Sequence, residues 1–456
     1  MLSSNATGET HQSSEREKDL EIYVRDLKGS IIGRLCYEVD QKLIKGFTPA
    51  YFGTIMGIGV SSCVLYKFPY PSRWLEICGC IIFGVGVAFF LVIIICFVAF
   101  VLRYPKKFAA YTCDPAIAPF MGGLPMGFNT LINFVYYLTG KEWIIGVWVL
   151  WWMSVILALY TGCVVFYAAF IAKKESSSNY LNPKDINAAL LMPNVAFTVS
   201  ASTGNLLVVD LPSLNLQIIT MIVSYILWSS GIILTFIILS IYYWKLFVHK
   251  IPATNLVFTS FLPAGAVGQG AFCINLFGNN MNNLIVQHHT TILSSHYLHF
   301  PGELDLSSVD TLGVGISIGQ VALLMTAMMC LSLISFGFFS TYIAIISSIS
   351  KIRPFTKNYN LDHTYKPSTL NSFTNLFTGF IKFNKSYWAM TFPLGTMAIS
   401  CNELSKSFGG LKTLQVIATI YAVALLIVTI GCIFGVMYKI GYFANYALYG
   451  TNYEKF

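Results

Sequence analysis

Long apolar stretches separated by short polar segments dominate the chain. A helix of about 20 apolar residues is long enough to cross a bilayer, and ten stretches reach this length. They lie near residues 48–66, 75–102, 116–138, 143–172, 186–209, 214–244, 253–278, 311–345, 387–405 and 413–438. The pattern therefore predicts an all-α polytopic membrane protein with ten transmembrane helices.

Proline separates the odd-numbered stretches from the even-numbered ones. The even stretches contain none, whereas every odd stretch carries proline in its first half, at Pro49, Pro125, Pro193, Pro263 and Pro393. Proline frees a backbone carbonyl, which lipid cannot satisfy. We therefore expect the odd helices to lie inside, with broken backbone facing protein or a cavity, and the even helices to face lipid. Ordinary proline kinks placed by chance are the alternative interpretation.

The odd and even stretches together form a repeated helical hairpin. Three repeats share the pattern apolar–Pro–x–Gly, at residues 124–127, 262–265 and 392–395. Because two helices separate successive repeats, all the inner helices run in the same direction, as in parallel repeats around an axis along the membrane normal. The predicted fold is five tandem hairpins around a central pore.

Three segments follow from these boundaries. Residues 1–46 are polar and form a predicted cytoplasmic segment, residues 47–440 the ten-helix transport domain, and residues 441–456 a cytoplasmic tail. Apolar side chains recur at three- and four-residue spacing in the first segment, at Ile32, Leu35, Val39 and Leu43. This spacing suits a helix on the membrane surface or, equally, a short solvated helix with one apolar edge.

The placement of charge tests the topology. With both termini in the cytoplasm, 23 of the 28 Lys and Arg residues fall on the cytoplasmic side. The remaining five lie in predicted outer loops, at Lys67, Arg73, Lys141, Lys406 and Lys412. This asymmetry follows the positive-inside rule and predicts that the N- and C-termini lie in the cytoplasm. We expect the membrane to be the plasma membrane.

Composition agrees with a membrane protein. Hydrophobic residues make up 55% of the chain and charged residues 11%, against about 25% charged residues in soluble domains. The net charge of +8 is explained by cytoplasmic loops, so we predict no nucleic-acid partner. The eleven cysteines are dispersed without metal-like spacing, and we predict no metal or other cofactor.

Neutral polar and small residues of the odd stretches are the candidate substrate pathway. Hydroxyl and amide donors beside interrupted helix backbone could replace part of an anion's hydration shell, although each such residue could instead serve helix packing. The candidates are Pro49, Gly57, Pro125, Gly127, Asn129, Pro193, Ser200, Ser202, Pro263, Gly265, Gln269, Pro393, Gly395 and Thr396. No histidine or mid-span acid offers a proton relay or a catalytic pair, so we predict a passive path and no enzyme.

Several motifs resemble the tellurite-resistance/dicarboxylate transporter family, and specifically its fungal sulfite-efflux branch. They are MGIGVSS at 56–62, FPYPSRW at 68–74, FLPAGAVGQGAF at 261–272, YWAMTFPLGTMA at 387–398 and the Asn-Glu-Leu of 402–404. The resemblance covers roughly residues 47–440. It implies a central pore, a gate phenylalanine at Phe392 and, from bacterial relatives, a homotrimer.

The resemblance also implies the substrate. Sulfite, carried as hydrogen sulfite, would leave the cell down its electrochemical gradient. The alternative is a dicarboxylate such as malate, or another small anion, in the same fold. A dicarboxylate usually pairs with arginine, and no arginine lies in the middle of a stretch, which favours a small inorganic anion.

Overall fold

The computed structural model describes residues 39–172, 183, 186–251, 254–287, 318–351 and 383–449. Regular structure within these ranges is helical, without strands, and includes ten helices of 15 residues or more. They are α1 Phe52–Tyr66, α2 Arg73–Arg103, α3 Gly123–Thr139, α4 Ile144–Leu159, α5 Met192–Leu207, α6 Leu214–His249, α7 Leu262–Gln287, α8 Ile318–Ile349, α9 Thr391–Ser407 and α10 Lys412–Tyr449. Two π-helical turns, Tyr160–Val165 and Tyr167–Ile171, extend α4.

Seven helical stretches of the described chain are long and apolar enough to cross a membrane. Ala118–Ile171 counts as one stretch although it contains both α3 and α4, and neither α5 nor α9 is included. At 1.5 Å per residue, helices of 16 and 17 residues are roughly 25 Å long, less than a bilayer core of about 30 Å. The structure therefore supports a helical membrane protein and leaves the predicted count of ten spans unconfirmed.

Each odd-numbered helix begins with a tight 3₁₀ segment. These segments are Pro49–Tyr51, Ala118–Gly122, Ala188–Leu191, Thr254–Phe261 and Lys385–Met390. Four of the five odd-helix prolines then occupy the second or third residue of the α-helix, and Pro49 begins its 3₁₀ turn. The structure thus differs from the expectation of broken helices. A proline in the first turn does not interrupt a helix, because the N–H that it lacks has no intrahelical partner at that position.

Burial separates odd from even helices as the proline pattern predicts. In the segments Pro49–Tyr66 and Leu256–Gln287, which contain α1 and α7, 83% and 100% of the residues in the most apolar 18-residue stretch are buried. The corresponding value is 11% for α2 and 28% for both α8 and α10. The odd helices are therefore inner helices, and the even helices present their apolar side chains outward.

The five inner helices form a closed ring. α1 packs on α3, α3 on α5, α5 on α7, α7 on α9, and α9 on α1. They all belong to one compact unit of the chain, Pro49–Leu91 with Ala109–Ile430. Since the inner helices run in the same direction, one end of the ring carries five helix N-termini and the other end five C-termini.

A second unit contains, of the described residues, 39–48, 92–108 and 431–449. In it the Phe47 ring lies 5.6 Å from the rings of Phe97 and Phe100, centroid to centroid, and Arg103 forms an ion pair with Asp40. Residues 1–38, which hold most of the predicted interfacial helix, lie outside the described residues; Asp40–Ile44 form a π-helical turn. α10 continues to Tyr449, so the predicted boundary at residue 440 falls inside a helix.

Candidate functional site

The side of α9 that faces the centre of the ring follows from its contacts. On one side of α9, the Ser400 hydroxyl donates to the Gly268 carbonyl of α7 at 2.5 Å. On a second side, a Cβ on Gly395 would lie 2.5 Å from the Val60 side chain of α1. A third side packs on α8 through Met397. Phe392, Ile399 and Glu403 share the remaining side, because steps of seven and eleven residues are close to two and three full turns. We call this the lumen-facing side.

α1 and α3 show the same arrangement. α1 approaches α3 through Gly59 and α9 through Gly57, which leaves Met56 on its lumen-facing side. Lys67 is the C-cap residue just beyond α1, and its ammonium lies 5.1 Å from the ring of Tyr137, so we count it with the lumen-facing residues. α3 approaches α1 through Thr130 and α5 through Asn129. Its lumen-facing side then carries Met126, Asn133 and Tyr137.

α5 and α7 complete the wall. On α5, Ser200 faces α3, where it accepts a hydrogen bond from Asn129, and Ser202 faces α7, where its hydroxyl accepts one from Gln269. α7 meets α9 through Gly268 and Asn275. The lumen-facing residues between these contacts are Val195, Val199 and Leu206 on α5, with Phe272 and Leu276 on α7.

Exposure along the lumen-facing sides changes from one end of the ring to the other. Toward the helix N-termini, Met56, Met126 and Phe392 are 1%, 1% and 2% exposed. Toward the C-termini, lumen-facing residues are partly exposed at Asn133, Tyr137, Leu206, Ile399 and Glu403, and Lys67 is exposed. We call these six residues the C-terminal mouth, since they are the exposed or partly exposed residues of the lumen-facing sides.

Phe392 lies at the level where the ring is closed. A Cβ on Gly57 would clash with the Thr391 hydroxyl, and one on Gly127 would lie 3.3 Å from the backbone of Met56. These contacts place Met56, Met126 and Phe392 at one height. The structure thus brings the predicted gate residue to the closed end together with two methionines that are absent from the sequence-based candidates.

The four candidate glycines lie where inner helices touch. Gly57 and Gly395 face contacts between α1 and α9, and Gly127 faces α1. Gly265 lies against α9, where a Cβ on it would lie 2.9 Å from the ring of Pro393. Any side chain at these points would separate the helices. Close packing of the ring accounts for these residues, and their part in a substrate pathway stays a prediction.

Asn129 and Ser200 hydrogen-bond to each other. The Asn129 amide donates to the Ser200 hydroxyl and to the Pro125 carbonyl, both at 2.9 Å. The Ser200 hydroxyl also lies 3.2 Å from that of Ser154, and Trp151 donates to its carbonyl at 2.8 Å. This cluster joins α3, α4 and α5, so its amide donors are already engaged.

The other candidate hydroxyls and the prolines are also placed by the structure. Ser202 donates to the Val199 carbonyl at 2.8 Å, and Thr396 to the Pro393 carbonyl at 3.0 Å. Pro49, Pro125, Pro193, Pro263 and Pro393 mark helix starts at the N-terminal end of the ring. Most of the predicted donors therefore bond to protein.

Lys67, Tyr137, Phe272 and Glu403 are lumen-facing residues absent from the sequence-based candidates. From the sequence, the spacing of seven and eleven residues would have placed Asn133 and Tyr137 on the same side of a helix as Met126. Choosing that side over others requires the contacts, because the inner helices are apolar and small-residue-rich on several sides and their sequences do not mark which side faces the centre of the ring.

The comparisons with known proteins cover most of the chain. A family model described as the SLAC1 voltage-dependent anion channel matches residues 46–437. The sulfite efflux pump SSU1 of Candida albicans is 40% identical over 406 residues, which are 88% of this chain and 75% of that protein.

Two further relatives carry the same name at lower identity. The sulfite efflux pump of Saccharomyces cerevisiae is 28% identical over 411 residues, 83% of this chain and 84% of that protein. That of Arthroderma benhamiae is 25% identical over 375 residues, 81% and 84% of the two chains. The similarity thus extends across all ten helices.

Proposed function

The chain belongs to the SLAC1 voltage-dependent anion channel family, and from this membership we propose that it exports sulfite, as hydrogen sulfite, across the plasma membrane. The assignment of sulfite as the substrate rests on the 40% identity to a protein named a sulfite efflux pump, over 88% of this chain. The proposed topology is ten spans as five hairpins, with both termini in the cytoplasm.

The proposed path runs through the centre of the ring. The N-terminal end of the ring faces the cytoplasm in this topology, and five helix N-termini there attract an anion because each carries a partial positive charge. The walls are mostly apolar or bonded to protein, so an anion binds weakly and can leave. Phe392, with Met56 and Met126 beside it, occludes the path.

The driving force is the membrane potential. Moving one charge through the field is favourable by roughly 2.3 kcal/mol per 100 mV. A cell interior that is negative expels a monovalent anion, so no ATP or proton coupling is needed. This is transport and not catalysis, and it requires no cofactor.

Transport of a dicarboxylate such as malate is the second candidate. A dianion would favour a guanidinium partner. The described arginines, Arg73 and Arg103, both belong to the outer helix α2, which favours the monovalent inorganic anion. Following the bacterial relatives of the family, we further propose a homotrimer in which each protomer has its own path.

Liposomes containing the purified protein test the proposal. They are loaded with sulfite, malate or chloride, and release is measured while a potassium gradient sets the voltage; protein-free liposomes are the control. We expect sulfite release that increases with interior-negative voltage. Malate release without sulfite release would overturn the assignment.

A further inference from the structure

Lys67 caps the C-terminal end of α1 at the C-terminal mouth. Its ammonium Nζ lies 5.1 Å from the ring centroid of Tyr137 and 5.4 Å from that of Tyr66. The two rings are stacked, with centroids 6.1 Å apart and planes 3° from parallel. A cation within about 6 Å of an aromatic face is attracted by it, so the rings hold the ammonium at the mouth.

The backbone of Lys67 is also fixed. Its N–H donates to the Cys63 carbonyl at 3.0 Å, and its carbonyl accepts from the buried amide of Asn402 at 3.2 Å. Asn402 belongs to α9, so Lys67 sits where the first and last inner helices meet. The position of the Lys67 backbone is thereby set from two helices.

Lys67 differs from neighbouring lysines in its partners. Lys406 pairs with Glu403 at 2.5 Å, and Lys141 pairs with Asp210 at 3.4 Å. Among the residues that the structure describes, no carboxylate lies within ion-pair distance of Lys67. Its charge is therefore available to an anion in the mouth.

An anion at this end needs such a charge. The five parallel inner helices end here, and each C-terminus carries about −0.5 of an elementary charge. An anion that has passed the closed level therefore meets repulsion just before it reaches bulk water. A cation at the C-terminal mouth lowers that barrier without trapping the anion, because the site is exposed and screened.

We propose that Lys67 is an anion-binding residue at the C-terminal mouth, which receives the small inorganic anion as it leaves the ring. This inference rests on the proposed anion path. Tyr66 and Tyr137 are the positioning residues, whose rings hold the exposed ammonium beside the lumen-facing side of α3.

The test compares Lys67→Gln with Lys412→Gln in the full-length protein. Lys412 is the exposed first residue of the outer helix α10, so it lies at the same end but off the ring. We expect Lys67→Gln to lower outward sulfite and chloride flux roughly three- to tenfold at low salt, an effect that shrinks at high salt because exposed charges are screened. Lys67→Arg should retain most of the flux, and Lys412→Gln all of it.

The outcomes separate this inference from the proposed function. Equal flux in wild type and Lys67→Gln at equal surface amounts would refute the Lys67 site, as would equal losses in both glutamine variants or a loss that salt does not change. If wild type carries chloride and no sulfite, the substrate assignment fails, while the chloride arm still decides the role of Lys67. If Lys67→Gln does not reach the membrane, Lys67→Arg against Tyr137→Leu gives the comparison, with lower flux expected only for the leucine variant.

Discussion

At the scale of single residues, the inner wall uses its polar groups for its own structure. Ser62 donates to the Gly59 carbonyl at 2.7 Å, and Ser61 lies 2.8 Å from the hydroxyl of Thr429. A hydroxyl bonded in this way has little to offer an anion. Selectivity in the proposed path therefore depends on a few side chains at its two ends, Phe392 at one and Lys67 at the other.

Replacing Phe392 with alanine should open the closed level. The Phe392 side chain is 2% exposed, and removing its phenyl group leaves Met56 and Met126 as the remaining side chains at this height. We expect sulfite flux in liposomes to rise several-fold. Phe339→Ala is the control, since Phe339 is 50% exposed on the outer helix α8; unchanged flux in correctly inserted Phe392→Ala would argue against a gate.

The sequence could identify Phe392 through its family motif, whereas it could not identify Lys67 as part of the wall. By hydropathy Lys67 lies one residue beyond the end of a span and is assigned to a loop. Its place follows from the contact between its ammonium and the ring of Tyr137. The role of a charged residue at a helix end depends on which residues surround it in the fold, and the sequence alone does not show these.

At the scale of helices, glycine sets the distance between the inner helices. A Cβ on Gly59 of α1 would clash with the Thr130 hydroxyl oxygen of α3 and lie 2.8 Å from the Thr130 Cβ. Neither helix can yield without moving against its other neighbour in the ring. This contact therefore fixes the spacing between α1 and α3 more tightly than apolar packing alone.

Gly59→Ala should destabilise the protein by about 1–3 kcal/mol, the usual range for an overpacked interior. The measurement is the thermal unfolding midpoint in detergent. Gly84→Ala is the control, because a Cβ there meets nothing within 4 Å. Adding Thr130→Gly to Gly59→Ala should recover part of the loss, and strict additivity of the two changes would contradict the contact.

The proline pattern was informative at this scale for a reason other than the one argued from the sequence. It correctly separated inner from outer helices. The prolines themselves mark the junction between a 3₁₀ segment and an α-helix, as at Pro193 and Pro263, and do not interrupt a span. Sequence alone cannot distinguish the two, because both place proline near one end of an apolar stretch.

At the scale of the whole molecule, parallel inner helices give the ring two electrostatically different ends. Five N-termini lie at one end and five C-termini at the other, each with a partial charge of about half an elementary unit. This polarity matches the asymmetry in which 23 of 28 basic residues lie on one predicted side. Both features favour anions at the end that we assign to the cytoplasm.

The assigned orientation can be tested with epitope tags in intact cells. A tag inserted between residues 290 and 305, in the predicted outer loop, should be accessible to antibody without permeabilisation. Tags at the two termini should be detected only after permeabilisation. A terminal tag that is accessible on intact cells would contradict an even number of spans with cytoplasmic ends.

The contact between α9 and α1 has a consequence for the timing of biosynthesis. The hydrogen bond from Asn402 to Lys67 joins residues 335 positions apart. At a translation rate of about 5–20 residues per second, the first helix waits roughly 20 to 70 s for its final neighbour. During that interval one flank of α1, with its buried hydroxyls, has no protein to cover it. The ring can therefore close only after the last hairpin has been made.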